Sequence, residues 1–231
     1  MGGMRRTVLG ILAACLLALA TGCSVSTKDP DYVPPAPLPP LEQLKQVPVT
    51  QPSELGSGED LTAFVTEDRN IACAMTSARG DHLNLPYEAN NYDDSANAKL
   101  ATVPVVHCEL AVYPAPQARD VTDNCNGTGL GYLGGTVLLR PDKVAYGACR
   151  SGVTEMEAEF APKGSRTGPI AELPVLSEGQ NIERNGLRCS TYNGGVACGN
   201  LSAGVAFFVN RAGYLLVSKG GTVTSGKMPA S

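Results

Sequence analysis

Residues 189–198 read CSTYNGGVAC. An Asn-Gly pair flanked by residues of strand type is the signal for a two-residue type I′ hairpin turn. With Asn193 and Gly194 at the turn, Tyr192 stands opposite Gly195, Thr191 opposite Val196, and Cys189 opposite Cys198. Counting outward from the turn, the cysteines fall on a non-hydrogen-bonded pair, where facing side chains approach most closely. A disulfide across the two strands is geometrically reasonable there. A turn at Gly194-Gly195 would lose that alignment.

A second stretch repeats the theme. Asp68-Arg69-Asn70-Ile71-Ala72-Cys73 is similar to Glu183-Arg184-Asn185-Gly186-Leu187-Arg188-Cys189, and Val105-Val106-His107-Cys108-Glu109-Leu110 to Gly195-Val196-Ala197-Cys198-Gly199-Asn200-Leu201. The pattern reads as one unit used twice: a strand with Cys, a connection, and a returning strand with Cys. With Cys15 and Cys23 of the N-terminal segment set aside, six of the eight cysteines remain, and fifteen pairings are possible in principle. The internal analogy pairs Cys73 with Cys108 and leaves Cys125 for Cys149.

Around these hairpins the chain from about Leu61 onward alternates short apolar runs with turn clusters: LTAFVT, NIACAMT, VPVVHCELAVY, GTVLLR, KVAYGAC, GLRCST, GVACGN, VAFFV and GYLLVS. Short runs at this spacing predict an all-β, mainly antiparallel domain, a disulfide-stapled sandwich or small barrel. EMEAEF, residues 155–160, suits a strand by alternation and a helical turn by propensity.

The N-terminus reads MGGMRRTVLGILAACLLALATGC. Arg5 and Arg6 form a positive leader and residues 7–20 are almost wholly apolar, too short to span a bilayer core alone. This is the layout of an export signal. Its end, Ala20-Thr21-Gly22-Cys23, resembles the bacterial lipobox, in which the signal is cut before a cysteine that then carries a diacylglyceryl group. Leu12-Ala13-Ala14-Cys15 fits that pattern better by letter, but Leu16 to Ala20 follow it and keep it inside the apolar run. Cys23 is followed by Ser24 and polar chain. Two acyl chains anchor a protein stably where one binds only marginally. The plain alternative is a secreted protein with an incidental thiol at Cys23.

Residues 24–58 hold eight prolines. PDYVPPAPLPPLEQLKQVP excludes an uninterrupted helix and favours polyproline II, about 3.1 Å per residue. The expected organisation is a signal peptide over 1–22, a lipidated Cys23 with a disordered Pro-rich tether to 58, the β domain over 59–220, and a flexible tail over 221–231.

"DRNIACAM…VVHCEL…GLRCSTYNGGVACGNLSAGVAFFVNRAGYLLV" resembles a family of exported, cysteine-rich β domains in actinobacteria, often found in mycobacterial lipoproteins. The likeness covers roughly residues 61–218. It implies a location and a disulfide pattern, with no chemistry. Where members often carry a Gly-His-Gly-Phe-like step after the last cysteine, this chain has Ala203-Gly204-Val205-Ala206-Phe207 and no histidine.

Function classes narrow from composition. The net charge is −4, and −6 once Arg5 and Arg6 leave with the signal. A mildly acidic chain without a basic stripe is a poor nucleic-acid binder. Gly129-Leu-Gly131-Tyr-Leu-Gly134 matches G-x-G-x-x-G in letters only, since it lies between two cysteines and a β-type run follows it; it reads as a flexible or tight glycine loop, and no nucleotide site is expected. The two histidines, His82 and His107, have no nucleophile elbow to serve. Cysteine spacing excludes a zinc motif. Glu88, Asn90, Asn91, Asp93, Asp94 and Asn97 are rich in oxygen but depart from the EF-hand order, and read as solvated loop. No metal or cofactor is expected.

The connection 76–103 is long and polar, and loops of that length are commonly functional or disordered. Its Asp81, His82, Tyr87, Tyr92, Asp93 and Asp94 are the candidate ligand-binding residues. The expectation is an envelope lipoprotein held on the outer face of the plasma membrane by its acyl anchor. It would act as a binding or scaffold module for an envelope protein, a glycan or a small ligand. The alternative is an envelope enzyme or enzyme inhibitor acting through that loop.

Overall fold

The turn at Asn193-Gly194 forms as the sequence predicts, with both residues at positive φ (51° and 62°), and it sets Cys189 opposite Cys198. In the computed structural model the described residues are 39–49, 55–58, 61–79, 83, 86–88, 98–117, 125–221 and 223–227. They contain helix α1 (Pro40–Gln46), strands β1 (Gly56–Gly58), β2 (Leu61–Val65), β3 (Ile71–Arg79), β4 (Thr102–Leu110), β5 (Gly131–Leu139) and β6 (Val144–Arg150), helix α2 (Glu155–Phe160), and strands β7 (Asn181–Arg184), β8 (Leu187–Tyr192), β9 (Gly195–Asn200), β10 (Val205–Asn210), β11 (Gly213–Val217) and β12 (Val223–Lys227). Every pairing within the sheets is antiparallel between neighbours in sequence. One sheet runs β1 to β6 and the other β12 to β7. The two sheets remain open and pack face to face, so the fold is a sandwich and not a closed barrel.

The two sheets are one plan used twice. In the first, a row of paired residues runs Phe64, Cys73, Cys108, Val137, Tyr146 across β2 to β6. In the second, Ile182, Cys189, Cys198, Phe207, Leu216 runs across β7 to β11. All ten side chains belong to the same inter-sheet core. The disulfides Cys73–Cys108 and Cys189–Cys198 occupy equivalent places, each with a Cα separation of 4.1 Å. They meet at the centre of the core, where the sulfurs of Cys73, Cys108 and Cys198 lie within 4.8 Å of one another. Cys125–Cys149 closes the third bridge, from the 3-10 turn Cys125–Gly127 to the end of β6. Tyr146 and Tyr214 stack at 4.0 Å between the sheets, and the Tyr146 hydroxyl donates to the Pro114 carbonyl.

Three expectations need correction. The tether does not run unstructured to 58. The stretch between Pro40 and Pro48 has no internal proline, and Pro40 sits at the first helical position, where its missing N–H costs nothing. A seven-residue helix is marginal alone; α1 persists because Leu44 is fully buried against the second sheet. Strand β1 also lies inside the range read as tether. The tail is likewise not flexible from 221, since β12 pairs with β11 from Val217↔Val223 to Gly213↔Lys227. Finally, Gly131 and Gly134 lie within β5 and are not a glycine loop. A register shift between Leu133 and Val137 bends that strand. There Gly135 (φ 84°) leaves room for the Tyr113 ring, which a Cβ would meet at 2.6 Å. EMEAEF resolves as helix α2, fixed by a capping box between Thr154 and Glu157.

Candidate functional site

The outward faces of the two sheets carry the contrast on which function turns. Because the cystines are equivalent, so are their neighbours. His107 and Glu109 flank Cys108 just as Ala197 and Gly199 flank Cys198. One pair on, Leu138 and Ala145 of the first sheet correspond to Phe208 and Leu215 of the second. The same frame therefore presents titratable groups on one side and apolar groups on the other.

On the first sheet, α2 lies across β4 and covers a stripe of small residues, with Met156, Ala72, Ala74 and Tyr87 in one cluster. His107 Nε2 lies 3.1 Å from Glu109 Oε1, and Glu109 Oε2 accepts the Met156 amide at 3.0 Å. Glu159 accepts the amides of Ile170 and Ala171. Glu155 is different: its Oε2 is buried with no hydrogen bond. Burial, together with the charges of Glu109, Glu159 and Glu88, pushes its carboxyl above the ordinary value, and His107 opposes this. Two residues on, burial also pushes Glu157 up. The Thr154 amide, the Tyr113 hydroxyl and Arg150 outweigh it and hold the carboxyl below the ordinary value. Tyr113 donates to Glu157 at 2.6 Å and Arg150 lies 2.8 Å from it.

On the second sheet, α1 takes the place of that cover but protects less. Leu44 packs over Ala197 and Gly199, where a Cβ on Gly199 would come within 3.0 Å of Leu44 Cδ1. Arg188 Nη1 donates to the Leu44 carbonyl at 2.9 Å, and Asn181 Nδ2 to the Val47 carbonyl at 2.7 Å. These bonds tie down the helix C-terminus, whose last carbonyls have no partner within the helix. Beyond α1 the face is left open as a groove of about 260 Å³ lined by Pro39, Pro40, Tyr192, Phe208, Leu215, Val217 and Val223. Tyr192 and Phe208 form an aromatic pair at 4.8 Å, and Val223 is 55% exposed. The groove is slightly below the range of about 300–1,000 Å³ usual for pockets that hold drug-sized ligands, and its lining, like theirs, is mostly apolar.

Of the residues singled out in the sequence, Asp81, His82, Tyr92, Asp93 and Asp94 lie outside the described residues, as do Cys23 and the signal segment. Tyr87 is a correction. It is 8% exposed, packs in the first-sheet cluster, and donates its hydroxyl to the Ala72 carbonyl at 3.2 Å. An aromatic ring among polar loop residues anchors the loop to the sheet and offers no surface to a ligand. His107 points away from its neighbouring disulfide as alternation requires, onto Glu109. The cysteine cluster in the core consists of disulfide sulfurs, which are not thiolate ligands. The groove has no local signal: its walls come from residues 39–40 and 192–223, joined only by folding.

No family model, no curated protein and no solved structure matches the chain.

Proposed function

We propose that this protein is a lipid-anchored binding module on the outer face of the plasma membrane, in which the second-sheet groove is the binding site. The observation that carries the reading is the open apolar face beside the point where the N-terminal segment joins the domain, since Pro39 and Pro40 form part of the groove wall. Apolar surface left uncovered on a folded domain marks an interaction site. Location is supported by three disulfides, which form and persist outside the reducing cytoplasm. Anchoring is supported by the lipobox-like Ala20-Thr21-Gly22-Cys23. Among the described residues no helix is long and apolar enough to cross a membrane. The −6 charge of the mature chain argues against nucleic acid as a partner.

Two measurements test this. Cys23→Ala should move the protein from the membrane fraction to the soluble fraction of its own host; retention of the variant on the membrane would contradict the anchor. An environment-sensitive apolar dye should bind the folded protein, and Leu215→Asp should weaken that binding about tenfold. Unchanged binding would remove the groove from the proposal.

A further inference from the structure

The groove's chemistry is narrower than "apolar ligand". It lies on the face of a sheet, where the backbone groups of β10 and β11 are committed to the strands on either side and those of the edge strand β12 are committed on the β11 side. A peptide laid on that face would leave its own N–H and C=O groups without partners, at a cost in free energy for each. A glycan would bring many hydroxyls to walls that, among the seven lining residues, contain one polar side chain, Tyr192. That hydroxyl has no hydrogen-bond partner among the described residues. An aliphatic chain has no hydrogen-bonding groups to satisfy and gains about 0.8 kcal/mol for each methylene buried.

The source of such a chain follows from the length of the N-terminal segment. Only residues 24–38 separate Cys23 from Pro39 at the groove wall. Even fully extended as polyproline II they span no more than about 50 Å. Resting on the lipid-anchor reading above, we infer that the groove takes the acyl chain of a membrane phospholipid, with the Tyr192 hydroxyl as the donor available to its ester carbonyl. The duplication explains why only one face does this. Phe208 and Leu215 stand where the first sheet has Leu138 and Ala145, and β12 adds Val223 beside Val217, a strand for which the first repeat has no counterpart after β6.

The test uses full-length protein purified from its host and reconstituted in phosphatidylcholine vesicles in which a fraction of the lipid carries a diazirine at the acyl terminus. After photolysis, peptides spanning 205–223 should carry about tenfold more label than peptides spanning β5 and β6. The double variant Leu215→Asp, Val223→Asp should lose that excess while keeping three disulfides and a cooperative melt. The Val223→Asp single variant, at an exposed position, should show a partial loss if the double variant fails to fold. Label spread evenly over both sheets, or label at 205–223 that neither variant reduces, overturns the inference. Intact mass of the same sample separates the two readings. An acylated Cys23 with an unlabelled groove rejects the acyl-chain inference alone. An unacylated Cys23 with a labelled groove rejects the anchor alone.

Discussion

Glu155 and Glu157 sit two residues apart on α2 and titrate in opposite directions, because Glu157 has hydrogen-bonding partners and Arg150, whereas for Glu155 burial and neighbouring carboxylates outweigh His107. For Glu155 the folded-state pKa lies above its unfolded value. The carboxylate therefore costs stability at neutral pH, and the cost is relieved as pH falls through the folded pKa toward the ordinary 4.5. Glu155→Gln should raise the melting temperature at pH 7 by the equivalent of no more than about 1 kcal/mol once solvent screening is allowed for. The gain should vanish in acid. For Glu157 the sign reverses: its stabilisation is present above the unfolded pKa and is lost as pH falls through the depressed folded value. Thr154→Ala, which removes the reciprocal cap, should cost about 1 kcal/mol. Melting curves of the variants from about pH 2 to pH 8 measure both signs; a destabilised Glu155→Gln at pH 7 would refute the charge-crowding account. None of this was readable from EMEAEF, which fits helix and strand alike. The capping box at Thr154 decides the matter, and of the acids that crowd Glu155 only Glu159 lies in the same stretch; Glu109 comes from β4 and Glu88 from a distant loop.

At the scale of elements, α1 is the piece whose removal changes the surface most. Its seven residues hold through Leu44, the two side-chain bonds from Arg188 and Asn181, and the absence of a side chain at Gly199. The exposed Glu42–Lys45 pair adds a few tenths of a kcal/mol at most. Leu44→Asp removes the buried contact from the helix side and should release the helix while leaving the ladder of β8, β9 and β10 intact. Hydrogen exchange at residues 42–47 should then quicken about a hundredfold, the equivalent of about 2.7 kcal/mol, with little change in β9. Unchanged exchange in 42–47 would mean that α1 is held by something other than this contact. The nine apolar runs of the sequence all became strands, because inner positions of a sandwich must be apolar. The strands it missed, β1, β7 and β12, are all sheet edges. An edge strand pairs on one side only and can be as polar as NIER or VTSGK, so periodicity does not mark it. The helix was hidden by the prolines around it, although Leu41 and Leu44 are spaced for one face.

The described β domain is one cystine-hairpin plan used twice, each extended into a meander, and its two halves differ on their outer faces. Equal frames explain why the cysteine pairing was readable: an Asn-Gly turn fixes one bridge and the repeat supplies the next. The groove was not readable, because it depends on which part of the second sheet α1 leaves uncovered. By loop entropy the Cys73–Cys108 bridge, closing 35 residues, is worth about 4 kcal/mol and the Cys189–Cys198 bridge, closing 9, about 3. Both depend on oxidation, and the functional reading depends on the chain being exported and anchored where oxidation occurs. One measurement reaches that dependence directly: the intact mass of the protein expressed in its own host, extracted in detergent and alkylated without reduction. The account predicts a chain that begins at Cys23, carries acyl groups and takes up no alkyl label. A mass that retains residues 1–22, lacks acyl groups or shows alkylated thiols would contradict it.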